Sequence, residues 1–212
     1  MRFHFLALFK SRSATPATAG FSMIELLVSI SIIVLVLTIT LTRQSSFNSA
    51  VLLRSEAFDM ALAIREIQLS AVSAVNIDTS AGSGEFRSTL GVYVDTTDSN
   101  EYILFRDSVG GSDDNNDRYD PGEEFGVSGS IDPRFEIGII EVVGSTDPSQ
   151  LSIVFQRPNY DAEFSNASGP LSTATAARIQ LRLKGSTAGN CGDQWRIIEI
   201  TSAGQIAVEN CP

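Results

Sequence analysis

The chain has 212 residues, with 15 Lys and Arg against 25 Asp and Glu, a formal net charge of −10 and one histidine, His4. Concentrated positive charge, on which nucleic-acid affinity rests, is absent, so nucleic acid is not expected as a partner. With its single histidine in the first residues, the rest of the chain has no Ser-His-Asp or Cys-His machinery and no histidine-bearing zinc site, and no phosphate loop or nucleotide fingerprint is present. The chain is expected not to be an enzyme.

Residues 1–20 carry Arg2, Lys10 and Arg12 and no acid, with a short apolar patch over 3–9 followed by Ser, Thr, Ala and Pro. A secretory signal peptide has its apolar core ahead of the small-residue cleavage site. Here the order is reversed, and cutting after Gly20 would leave the apolar segment on the product. Removal of these residues takes three of the 15 basic residues and no acid, leaving 12 against 25, a net charge near −13.

The stretch 21–42 is apolar and contains a single ionisable residue, Glu25. About 20 apolar residues suffice to span a bilayer. An acid inside one costs roughly 2.5–3.5 kcal/mol on insertion scales, so Glu25 needs a partner. The basic leader orients the span, keeping residues 1–20 cytoplasmic and exporting the remainder. A plain signal anchor is the alternative, and it leaves Glu25 unexplained.

Helix is expected to continue beyond Arg43, because Leu53, Ala57, Met60, Ile64, Ile67, Ala71 and Val75 recur at spacings of four and three. The domains expected are a leader (1–20), a transmembrane helix (21–42), its amphipathic continuation (43–81) and a β-rich exported head (82–212). Gly82-Ser83-Gly84 marks the break. Seven strands follow, at 89–94, 101–106, 135–143, 151–157, 177–183, 195–201 and 205–210. One long helix and then strands predict an α+β fold, the helix packed on an antiparallel sheet.

Asp113, Asn115, Asp117, Tyr119, Pro121 and Glu124 hold positions one, three, five, seven, nine and twelve of a twelve-residue window, the register of EF-hand calcium loops. Arg118 stands where glycine makes the sharp turn, and Pro121 offers no side-chain oxygen. Calcium is therefore the one candidate cofactor, with Asp113, Asn115, Asp117, Tyr119 and Glu124 as ligands, and none is required. A solvated acidic turn is the alternative. Cys191 and Cys211 bracket an expected C-terminal hairpin, and an exported domain favours their disulfide, whereas a reducing setting would leave two thiols. Closing this loop of about 20 residues is worth roughly 3 kcal/mol in the chain-entropy model.

The string GFSMIELLVSISIIVLVLTI, with Gly20, Phe21 and Glu25, resembles the class III leader junction of type IV pilins and type II secretion pseudopilins. The resemblance implies cleavage after Gly20 by a prepilin peptidase and N-methylation of Phe21. It also implies a role for Glu25 in pairing with the terminal amine of a neighbouring subunit during assembly. Residues 61–68, 153–158 and 195–211 are similar to the GspH/FimT-type minor pseudopilins and pilins. Asn159-Tyr160 stand where that family often has Asp-Gly, and an insertion runs to about Thr175. The implied partners are the peptidase, other pilin or pseudopilin subunits and an inner-membrane assembly platform. The implied location is a single pass through the cytoplasmic membrane with an exported head, and then a periplasmic or extracellular filament. Two alternatives are an anchored calcium- or ligand-binding module that does not assemble, and a DNA-uptake pilin using Arg178, Arg182, Lys184 and Arg196.

Overall fold

The computed structural model describes residues 20–73, 89–107, 116–155, 159–186 and 195–210, and only the backbone of 42–47. The leader up to residue 19, the Gly82-Ser83-Gly84 break and Val75 lie outside the described residues. The chain divides into two compact units, Met1–Gln44 and Ser45–Pro212.

Helix α1 runs Met23–Val72, 50 residues without a glycine or proline. A proline would have removed a backbone hydrogen bond from the ladder, and a glycine would have weakened the helix. In its apolar part the hydroxyls of Ser29, Ser31, Thr38 and Thr40 donate to the carbonyls four residues earlier, at 2.7–3.0 Å. Such bonds satisfy the hydroxyls where no water is at hand.

In the second unit the expected helical stripe is buried: Leu53, Ala57, Met60, Ile64, Ile67 and Ala71 are each at most 4% exposed. The ten strands are β1 Thr89–Asp95, β2 Glu101–Asp107, β3 Gly129–Ser130, β4 Phe135–Val143, β5 Gln150–Phe155, β6 Ala162–Asn166, β7 Gly169–Pro170, β8 Ala176–Leu183, β9 Trp195–Thr201 and β10 Ile206–Asn210. All seven expected strands are present. The expected single sheet is instead two, in the orders β3-β2-β1-β5-β6-β7 and β10-β9-β8-β4, with antiparallel pairing throughout the described strands. The fold is α+β, with one N-terminal apolar helix.

One core joins α1 to the inner faces of both sheets. Val92, Val94, Ile153 and Phe164 enter it from the first sheet, and Ile137, Ile140, Ile179 and Ile198 from the second. Ile137 and Ile140 both face inward because a bulge between them, at Gly138-Ile139, shifts the pairing with β8. An extra residue reverses the alternation of a strand. Glu136 and Glu141 consequently both face outward, opposite Arg182 and Arg178.

Candidate functional site

Ser22 ends the non-helical lead-in and caps α1: its Oγ accepts from the N–H of Glu25 at 3.2 Å, and its carbonyl accepts from the N–H of Leu26 at 3.1 Å. Ser22-Met23-Ile24-Glu25 has the S-x-x-E pattern of a capping box, in which the residue three beyond the cap is acidic. A carboxylate in the first helical turn also meets the positive end of the helix dipole, which offsets part of its cost in an apolar segment. The capping serine was readable in the sequence but was overshadowed there by the charge of Glu25. Gly20 and Phe21 lie in exposed, non-helical chain just before the cap. The peptide bond between them is therefore presented outside the helix, as proteolysis needs.

Beyond the cap, Met23–Leu41 is long and apolar enough to cross a membrane, and no side chain in it is buried. Glu25 is its single acid and has no ion pair among the described residues.

Of the acidic window 113–124, residues 116–124 are described. Asp113 and Asn115 lie outside the described residues. The left-handed turn falls at Asp117 (φ 56°), one residue ahead of Arg118. The Asp117 N–H donates to Asp107 Oδ2 at 2.8 Å, and the Tyr119 N–H donates to Ser152 Oγ at 3.1 Å. The Tyr119 ring packs 4.7 Å from Tyr93 and 5.7 Å from Phe105, centroid to centroid. Tyr93, Phe105 and Ser152 share the face of the first sheet that is turned away from the core, so the loop is a cover for that face.

The Tyr119 hydroxyl donates to Glu124 Oε1 at 2.6 Å, and the same oxygen accepts from the Gly122 N–H at 3.3 Å. Burial and this carboxylate raise the Tyr119 phenol well above its ordinary range, while the hydroxyl holds Glu124 below its own. Among the described residues no group of three or more His, Cys, Asp or Glu side chains is arranged to hold a metal.

Cys191 and Cys211 lie outside the described residues. The hairpin they bracket is formed: β9 and β10 pair from Ile200 with Ile206 to Arg196 with Asn210, and Gly204 (φ 76°) makes the turn. The four basic candidates do not form a basic patch. Arg178 Nε meets Glu199 at 2.6 Å and its Nη1 meets Glu141 at 3.3 Å, while Arg182 meets Glu136 at 2.9 Å. Arg196 is buried, on the other face of its sheet, with Nη1 donating to the Trp195 carbonyl, and Lys184 reaches Asn100 at 3.4 Å.

The site therefore defines an α+β chain whose exposed, capped N-terminal helix carries one acid at the head of a membrane-length apolar segment. Comparison with models of known families, with curated proteins and with solved structures finds no match.

Proposed function

We propose that the chain is a minor pilin or pseudopilin, a structural subunit of a type IV pilus or type II secretion filament. In this role a prepilin peptidase cuts between Gly20 and Phe21, Phe21 is N-methylated, and the apolar helix passes from the membrane into a filament. The observation that carries the proposal is the placement of Glu25. It stands three residues after the helix cap, at the head of an uncovered 19-residue apolar helix, with no ion pair among the described residues. A buried carboxylate is costly alone and much less so against a buried amine. A neighbouring subunit cut after Gly20 offers that amine at Phe21, which rationalises an acid that a plain anchor has no use for. DNA uptake is disfavoured, since Arg178 and Arg182 are paired to carboxylates.

Substitution Glu25→Ala tests this assignment in cells producing the remaining subunits. Glu25→Ala is expected to reach the membrane and be processed as the parent is, yet to be lost from sheared or cross-linked filaments. Undiminished incorporation of Glu25→Ala would overturn it.

A further inference from the structure

Asn166-Ala167-Ser168 is the single Asn-x-Ser/Thr sequence in the chain, and its middle residue is not proline. That triplet is the acceptor pattern for N-linked sugar, which is carried on surface loops of exported domains. Here it builds a two-residue turn. Asn166 ends β6, Ala167 and Ser168 form the turn, and Gly169 opens β7 in register with Asn166. Ala167 and Ser168 are exposed, and Asn166 is half-buried. The turn also has space beside it, since a Cβ built on Gly169 would meet nothing within 4 Å.

The Asn166 amide is held by its oxygen. Its Oδ1 accepts from the Ser168 N–H at 2.8 Å. The partner is a donor, so the oxygen must occupy that place, and flipping the amide would lose the bond. Nδ2 is the atom left over, and it has no hydrogen-bond partner among the described residues. The nitrogen is also the atom to which sugar is joined, and no contact has to be broken to free it. The turn lies at the edge of the first sheet, of which β7 is the last strand.

We propose that Asn166 is an N-glycosylation site, with a lipid-pyrophosphate-linked oligosaccharide as the sugar donor. Asn166 Nδ2 displaces the lipid pyrophosphate from C1 of the first sugar. The C1–N bond forms, and the C1–O bond to pyrophosphate breaks with its electron pair leaving on the pyrophosphate. One proton of Nδ2 passes to a base of the transferase. The sugar then stands beside β7, where a bulky hydrophilic group bars another chain from pairing with the sheet edge. The site rests on export of the head, which the filament role and a plain signal anchor share.

The test is peptide mapping by mass spectrometry of the protein purified from the membranes of its native host. The peptide containing Asn166 is expected to carry an added oligosaccharide, lost sugar by sugar on fragmentation. Asn166→Gln and Ser168→Ala should each abolish the added mass, whereas Ser168→Thr, which keeps the hydroxyl, should retain it. Both Ser168 variants keep the backbone N–H that holds Oδ1, so a loss confined to Ser168→Ala reports the hydroxyl and not the turn. Three results overturn the proposal: a bare Asn166 on every chain recovered, an added mass that survives Ser168→Ala, or a head shielded from protease added to spheroplasts. The same map reports the N-terminus. A chain beginning at Phe21 with a bare Asn166 overturns this site and leaves the filament role standing, and a chain keeping residues 1–20 with sugar on Asn166 does the reverse.

Discussion

The side-chain amide of Gln68 donates to the carbonyl of Gly204 at 2.8 Å and to that of Tyr160 at 3.0 Å, from a position 5% exposed on the core side of α1. One buried amide thus ties the last turns of the helix to the turn between β9 and β10 and to the start of the segment leading into β6. Gln68→Leu keeps the apolar stripe but leaves two carbonyls without their donor. The two carbonyls are only partly buried, so the loss is that of ordinary hydrogen bonds, about 0.5–1.5 kcal/mol each, and Gln68→Leu should lower the denaturation midpoint accordingly. Gly204→Ala should do likewise, since φ is 76° there and a Cβ would run into the Tyr160 carbonyl. Chemical denaturation of both variants checks this, and parental midpoints would contradict it.

Gly91 on β1 leaves room for the Phe105 ring, which crosses from β2 to reach Tyr119. A Cβ at Gly91 would lie 2.7 Å from that ring and 2.7 Å from the Ile153 carbonyl. Gly91→Ala should therefore cost about 1–3 kcal/mol, as overpacking does, and loosen the loop from its sheet. The expected signature is a lowered midpoint together with faster proteolysis within 116–126. A variant with parental proteolysis would show that the loop is held independently of this aromatic cluster.

Much of the fold was legible because it is periodic. The buried stripe from Leu53 to Ala71 follows the helical repeat, and Arg178-Ile179-Gln180-Leu181-Arg182 alternates as a half-buried strand should. The strands that escaped are those without a pattern: β3 and β7 have two residues each, and β6, Ala162-Glu163-Phe164-Ser165-Asn166, lies in what read as an insertion. The bulge at Gly138-Ile139 was hidden because alternation within β4 reverses there. Asp117, Tyr119 and Glu124 have calcium-loop spacing in one dimension. Their partners Asp107, Ser152 and Phe105 come from other strands, so the loop's role as a cover depends on pairing that no local window contains. At the N-terminus the lone charge of Glu25 and the length of the apolar run were legible in one short segment, whereas the Ser22 cap went unread beside them.

Acid should weaken one contact in a defined window. Hydrogen bonds from the Arg134 guanidinium, 2.7 Å away, and from the Arg134 N–H hold the Asp132 carboxyl down to about 2 from an ordinary 3.8. Its folded value is depressed, so its contribution is complete above about pH 4 and is lost as pH falls toward 2. The pair is solvent-exposed, and the effect on global stability is correspondingly small. Carboxyl NMR titration should show Asp132 moving with a midpoint near 2 in the parent and rising toward the ordinary value in Arg134→Gln. An ordinary midpoint in the parent would contradict the pairing.

Glu56 has the opposite sign. Burial raises its carboxyl, although its Oε1 accepts from the Asp132 N–H at 3.3 Å. The ionised form therefore disfavours folding above the raised value, and the penalty is relieved as pH drops through it. Glu56→Gln keeps an acceptor for Asp132 and should stabilise the chain at neutral pH, with the gain vanishing in acid. Thermal melts at the two pH values decide this, and a gain that persists in acid would contradict it.

The most direct test of the assembly proposal is mass spectrometry of the N-terminus of the membrane-associated protein from its native host. A chain beginning at N-methylated Phe21 is the expected result, with the Gly20–Phe21 bond cut and Glu25 left at the head of the apolar helix. A chain that retains residues 1–20 intact under native expression would contradict processing by a prepilin peptidase, and the filament role with it.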